Sequence, residues 1–348
     1  FLDIFDMKKI IILGAGAMGS AFTVPCIENK NDVTLVGTHL EEQVINNIIN
    51  NNNFHEVLNF NLPKELKIKN FDHFSNILKT KPDLIVIGVS SKGIEWAANE
   101  LSKNLDKDTK ILLLTKGLTI IDDKFETLVE KFRLILNKNK IEDTNISAVA
   151  GPCLASGLAN KIKSSVVIAN KDENIAKKIG EMISTNYYSV ETSNDLVGVE
   201  VCAAIKNLYS MIIGASEGLS SVEASKEIKN KYFLNTAASL MYRSVYEMCH
   251  FTKSLNGNVE TVYGLAGLGD LYVSAAGGRN SKMGKLLGEG YNYKDAKEKF
   301  MKNDTVEGAE LALEIGRKVL KEFDRNKIPL MSSLIEAIIE NKKLTIEW

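Results

Sequence analysis

A chain of 348 residues with 45% apolar and 25% charged side chains has the balance of an ordinary globular protein of two domains, not of a disordered chain. Forty-three Lys and Arg against 44 Asp and Glu leave a formal net charge of -1, which excludes a global basic field for nucleic acid and leaves any anionic ligand to a few local cations. Cys26, Cys153, Cys202 and Cys249 are scattered and form no CxxC pair, so they read as reduced thiols, and with only four His no metal site is expected.

Phe1–Asp6 is short and acidic and precedes Met7, so the reading starts at Met7 and expects no secretory leader and a cytoplasmic protein. From there short apolar runs alternate with amphipathic stretches. Strands are expected at Lys9–Leu13, Asp32–Gly37, Asp83–Val89, Lys110–Thr115 and Ile146–Val149, with more at Ser165–Ala169 and Ser189–Thr192. Helices are expected between them, at Gly93–Leu105 and Lys124–Leu136. Continuous apolar strands alternating with helices imply a parallel sheet covered on both faces. After about residue 195 the pattern becomes helical: Val197–Gly218, Tyr232–Phe251, Lys282–Leu287, Val306–Lys321 and Ser332–Glu340. The expected division is 7–194 for an α/β domain and 195–348 for an all-helical one. The run Val197–Ser216 is long enough to span a membrane, but Glu200 and Lys206 would be costly in lipid, so it reads as a helix buried in protein.

Gly14-Ala15-Gly16-Ala17-Met18-Gly19 follows the first strand and opens a helix. In that setting the first glycine makes the tight turn, the second admits a pyrophosphate, and the third lets helix and strand pack closely. Pro25 is expected to kink the helix that follows. A carboxylate at the end of the second strand would bind a ribose 2′-hydroxyl; here stand Gly37-Thr38-His39, with Glu41 and Glu42 further on. The missing carboxylate, together with Thr and His, tilts the expected cofactor towards NADPH over NADH, or towards no strong preference.

Charged residues sit where charges are costly. Lys116, in Thr115-Lys116-Gly117, ends a strand at the carboxyl edge where doubly wound sheets bind ligands, and Gly151-Pro152-Cys153 follows another strand at that edge. Lys206 lies in the helix with no evident solvated face, on one side with Val199, Cys202 and Tyr209, and needs a partner or a function. Glu200, six residues away, would face elsewhere. Downstream come Gly264–Asp270 and then Gly277-Gly278-Arg279-Asn280, where an Arg among mostly Lys suits bidentate capture of a phosphate.

Together these elements, with Val199-Glu200, Lys206-Asn207 and Val306-Glu307-Gly308, resemble the NAD(P)-dependent sn-glycerol-3-phosphate dehydrogenase family over most of the chain and in the family's order. The resemblance implies a Rossmann-type doubly wound sheet followed by a helical substrate domain, a homodimer, and interconversion of dihydroxyacetone phosphate and sn-glycerol 3-phosphate with NADPH or NADH. It implies that Lys206, Lys116 and Asp270 are catalytic, Lys206 being the proton donor and acceptor. Gly151, Asn207, Arg279 and Asn280, with Lys116 and Asp270, would bind substrate. Gly14, Gly16, Ala17, Met18, Gly19, His39, Lys116, Ala155, Arg279, Val306 and Glu307 would line the cofactor. Cys153 stands where the family usually has serine, Met18 where an aromatic is common, Gly278 where many bacterial members carry serine, and Ser274 where threonine is often seen. The alternatives are a paralogue acting on another small phosphorylated ketone or hydroxy acid, and a dinucleotide sensor without turnover.

Overall fold

The computed structural model describes residues 7–220, 228 and 233–346. Phe1–Asp6, Tyr232 of the expected helix Tyr232–Phe251, and the last two residues of the expected 195–348 domain lie outside them. The chain divides into two compact units: residues up to Lys116 with Leu128–Leu196, and Gly117–Thr127 with Val197 onward.

The first unit is a wound sheet. β1 (Lys9–Leu13) leads through α1 (Ala17–Glu28) to β2 (Asp32–Val36) and α2 (Glu42–Asn50). A small hairpin, β3 (Phe54–His55) and β4 (Phe60–Asn61), precedes β5 (Lys67–Lys69), α3 (Phe74–Leu78), β6 (Leu84–Ile87), α4 (Ile94–Ser102) and β7 (Lys110–Leu113). The chain then makes a second hairpin, β8 (Leu118–Ile121) and β9 (Lys124–Thr127). It returns through α5 (Leu128–Lys138), β10 (Asn145–Ala150), α6 (Ala155–Ala159), β11 (Ser164–Ala169), α7 (Glu173–Ile183) and β12 (Tyr188–Ser193).

Eight strands form one sheet in the order β12-β11-β10-β7-β6-β1-β2-β5. The pairs from β5 to β10 are parallel, as the apolar runs require, while β10 and β11 are antiparallel, so the sheet is mixed at that side. Strand side chains such as Ile10, Ile12, Leu35, Val86 and Leu112 are fully buried in its core. The chain leaves β1 for β2 on one side and pairs β1 with β6 on the other, so the carboxyl end of β1 lies at the switch point where such sheets bind ligands. Pro25 does not interrupt α1: it falls in the last turn, and the helix ends at Glu28.

Among its described residues the second unit is helical with one strand pair. It holds α8 (Leu196–Leu219, all but its first residue), α9 (Leu234–Ser254), α10 (Val259–Tyr263), α11 (Asp270–Ala275), α12 (Arg279–Gly288), α13 (Tyr293–Phe300), α14 (Glu307–Glu322) and α15 (Pro329–Ile339). A helix apolar on all sides belongs inside protein. α8 obeys: it is long and apolar enough to cross a membrane by length and composition, yet 89% of its most apolar window is buried here.

Two expectations need correction. Lys124–Leu136 is not one helix, because Leu118–Ile121 and Lys124–Thr127 pair as antiparallel strands and α5 starts only at Leu128. Asp122 and Asp123 both adopt left-handed backbone (φ 49° and 57°), the two-residue turn whose twist suits a hairpin. That hairpin belongs to the second unit, so this unit is not purely helical and does not begin at 195. Thr119 Oγ1 donates to Glu314 on α14 at 2.7 Å, Lys318 Nζ donates to Asp123 at 3.1 Å, and Phe125 packs edge-on against Phe251 and Phe323.

Candidate active site

In the first unit the site begins where β1 ends. Gly14 has φ +112° and an added Cβ would lie 2.8 Å from the Gly88 backbone, so both conformation and space demand glycine there. Gly16 precedes the first turn of α1, caps it with no side chain, and has open space where a Cβ would be. The first-turn amides, from Ala17 and Met18 onward, are the N–H groups that a helix cannot satisfy from within. An open glycine turn under uncapped helix amides fits a dinucleotide pyrophosphate.

Other expected residues gather on the same sheet edge. Lys116 is half-buried just beyond β7 and lines a small pocket with Met18, Phe22, Leu114, Gly151 and Cys153. Thr115 Oγ1 donates to the Val89 carbonyl at 2.5 Å, which holds the loop carrying Lys116 against the end of β6. Ala155 opens the short α6. His39 is exposed, with its ring centroid 4.7 Å from Trp96 and 6.3 Å from Phe71.

In the second unit the buried lysine has its partners. Lys206, 8% exposed, donates from Nζ to Asp270 Oδ1 at 2.7 Å and to Ser274 Oγ at 2.6 Å. Asp270, itself 3% exposed, heads α11. A single π-type turn delivers it, the Gly269 N–H donating five residues back to the Gly264 carbonyl at 3.2 Å. Such turns recur at functional sites because they re-aim a helix start.

One residue along α8, Asn207 Oδ1 accepts from Asn280 Nδ2 at 3.1 Å, while Asn280 Oδ1 accepts the Gly308 N–H at 2.9 Å. Arg279 Nη2 donates to Glu307 Oε1 at an exposed position. Val306 is 1% exposed and immediately precedes α14. The spacing of these helices is set by glycine. A Cβ on Gly284 of α12 would lie 1.9 Å from the Met211 carbonyl oxygen of α8, and one on Gly308 of α14 would lie 2.6 Å from that of Asn207. Backbone therefore rests directly on backbone, and Lys206, Asn207, Asp270, Arg279, Asn280 and Glu307 come together on four helices.

Three further polar residues carry no strong local signal. Ser274 shows in the sequence only as a replacement for threonine, yet it holds Lys206. Glu41 and His55 both reach the Gly-rich turn: Glu41 Oε2 accepts the Ala15 N–H at 3.0 Å, and His55 Nε2 lies 3.0 Å from the Ala15 carbonyl oxygen. Their contacts depend on where loops return, which no local pattern announces.

Comparison with known proteins agrees with this geometry. Residues 9–176 match the model of the NAD-dependent glycerol-3-phosphate dehydrogenase N-terminus and residues 195–347 that of the C-terminus. The NADP(+)-dependent glycerol-3-phosphate dehydrogenase of Archaeoglobus fulgidus is 31% identical over 341 residues, covering 96% of each chain. In fold, the chain is similar to glycerol-3-phosphate dehydrogenase from Coxiella burnetii (TM-score 0.78, 23% identity, 97% of this chain and 96% of that one). It is also similar to the Saccharomyces cerevisiae enzyme (TM-score 0.80, 19% identity, 97% of both chains). The chain belongs to the NAD-dependent glycerol-3-phosphate dehydrogenase family, a family of NAD(P)-dependent oxidoreductases.

Proposed function

We propose that this chain reduces dihydroxyacetone phosphate to sn-glycerol 3-phosphate with NAD(P)H, and that Lys206 is the proton donor. The observation that carries this reading is the buried Lys206 ammonium, oriented by Asp270 and Ser274. When bound, NAD(P)H supplies the hydride for C2 of the ketone. Negative charge then develops on the carbonyl oxygen; Lys206 stabilises it, gives up a proton from Nζ to form the hydroxyl, and takes a proton back from water. Asp270 and Ser274 keep Nζ from swinging away while this occurs.

Lys116, at the ligand edge of its sheet, is assigned to the substrate and nicotinamide, with Gly151 beside it. Arg279 is assigned to the substrate phosphate: its exposed guanidinium exchanges Glu307 for a phosphate that it can grip bidentately. Asn207 and Asn280 hold each other and present amides to the same anion. Ala155, Val306 and Glu307 are assigned to the cofactor, together with the Gly14–Gly19 turn. The resemblance also supports a homodimer, which sedimentation of the purified chain tests.

The functional test is dinucleotide oxidation with dihydroxyacetone phosphate against unphosphorylated dihydroxyacetone. Turnover that requires the phosphate supports the reading; equal rates with both would remove Arg279 from it. Lys206→Ala should lower kcat by ~10²–10⁴ if the lysine is the general acid, with dinucleotide binding retained. Normal turnover in that variant would overturn the role.

A further inference from the structure

Glu41 does more than its place in the sequence suggests. It lies just beyond Gly37-Thr38-His39 and immediately precedes α2. Its Oε2 accepts two backbone donors, the Thr38 N–H at 2.8 Å and the Ala15 N–H at 3.0 Å. One carboxylate oxygen thus ties the loop leaving β2 to the Gly-rich turn leaving β1, and these two strands are parallel neighbours in the sheet. Ala15 is also held through its carbonyl. The Leu58 N–H donates to His55 Nδ1 at 3.3 Å, so the buried His55 ring donates from Nε2 to the Ala15 carbonyl at 3.0 Å.

Bracing alone does not call for an acid. Both donors are N–H groups, and the amide oxygen of a glutamine would accept the same two bonds. The negative charge and the second oxygen are surplus to that task. Among the described residues Oε1 accepts no hydrogen bond. Glu41 follows Gly19 by about 20 residues, the separation at which wound dinucleotide domains place the acid for a ribose hydroxyl. The loop Gly37-Thr38-His39 lacks that acid in sequence, and the fold returns one to the same edge from further along. His39, the side chain at the strand end, has its ring against Trp96 and Phe71.

We propose that Glu41 reads the adenosine ribose and selects the unphosphorylated dinucleotide: Oε1 accepts a ribose hydroxyl, and the carboxylate repels a 2′-phosphate. This reverses the lean towards NADPH drawn from the sequence, and it separates this chain from the Archaeoglobus fulgidus relative, whose name carries NADP(+). It rests on the dinucleotide-dependent reading above.

The test is binding of NADH and NADPH to the purified chain, by quenching of protein fluorescence, so that it does not depend on turnover. The wild type is expected to bind NADH on the order of tenfold or more tightly than NADPH, with the gap narrowing as salt is raised. Glu41→Gln should keep the brace and the thermal midpoint while closing that gap by roughly tenfold, mainly by tightening NADPH. Equal affinities in the wild type, a preference for NADPH, or an unchanged ratio in Glu41→Gln would overturn the proposal. The wild-type ratio and its salt dependence decide the matter even if the variant fails to fold. The expected ratio without turnover of dihydroxyacetone phosphate would sink the proposed reaction and leave Glu41 in place; failure to bind either dinucleotide would sink both.

Discussion

Two cation–carboxylate pairs in the second unit look alike on paper and differ in every physical respect. The side chains of Lys206 and Asp270 are 10% and 5% exposed, and those of Arg279 and Glu307 are 52% and 41% exposed. A buried pair cannot exchange its partner for water, so its geometry is fixed and loss of either member strands a charge. An exposed pair gains little from being made and loses little when opened. Proton transfer needs the first property, and capture of an arriving anion needs the second. The contrast supports the proposed division of labour, chemistry at Lys206 and anion binding at Arg279.

The comparison is tested hardest at Asp270. Asp270→Ala leaves the Lys206 ammonium buried without its carboxylate and should cost about 3–5 kcal/mol in a urea melt. A loss no larger than that from disrupting the Arg279 pair would break the contrast.

Glu247 sharpens it as a buried carboxylate held mainly by neutral donors. Its oxygens accept the Leu330 N–H at 2.7 Å, the Met331 N–H at 3.0 Å and the Tyr209 hydroxyl at 3.2 Å, tying α8 to the start of α15. Burial pushes its pKa up from 4.5 to about 7, against the opposing pull of those three donors and of Arg243. Between these two values the folded chain holds a proton that the unfolded chain has released. The contribution to stability is therefore full below about pH 4.5 and is lost as pH rises through about 7, by about 3 kcal/mol. Glu247→Gln should remove that slope. A wild type and variant with parallel stability–pH curves would show that the carboxylate does not titrate in this range.

The smallest effect on stability is expected from Glu307→Gln, under about 1 kcal/mol. Its reading is in kinetics: freeing Arg279 from a competing carboxylate should change KM for dihydroxyacetone phosphate more than kcat. A change in kcat alone would place Glu307 in the chemistry instead.

How much of this was legible follows from where each signal resides. The parallel strands announced themselves because burial on both faces makes them continuously apolar, as at Ile10–Leu13 and Leu84–Ile87. Lys206 was legible for the converse reason, as a charge in a helix with no polar side. The β8–β9 hairpin was missed because its amphipathic second strand runs straight into α5 and passes for its first turn. The Asp122-Asp123 turn between two β-rich runs was the available clue. Glu41 is hard to read in sequence because it lies beyond the strand end, and only the start of α2 brings its carboxylate back to the Gly-rich turn. Ser274 shows the same limit: its meaning lies in a residue 68 positions away.

The hairpin also has a consequence in time. Thr119 finds Glu314 across 195 residues of sequence, and Lys318 finds Asp123 across the same interval. At ~5–20 residues per second on the ribosome, roughly 10–40 s separate the synthesis of the strand pair from that of the helix that covers it. During that interval the rest of the first unit's chain is made while the strand pair in its middle still lacks the helix that covers it. A fragment begun at 195 would lack this strand pair, the part of its unit that is made first.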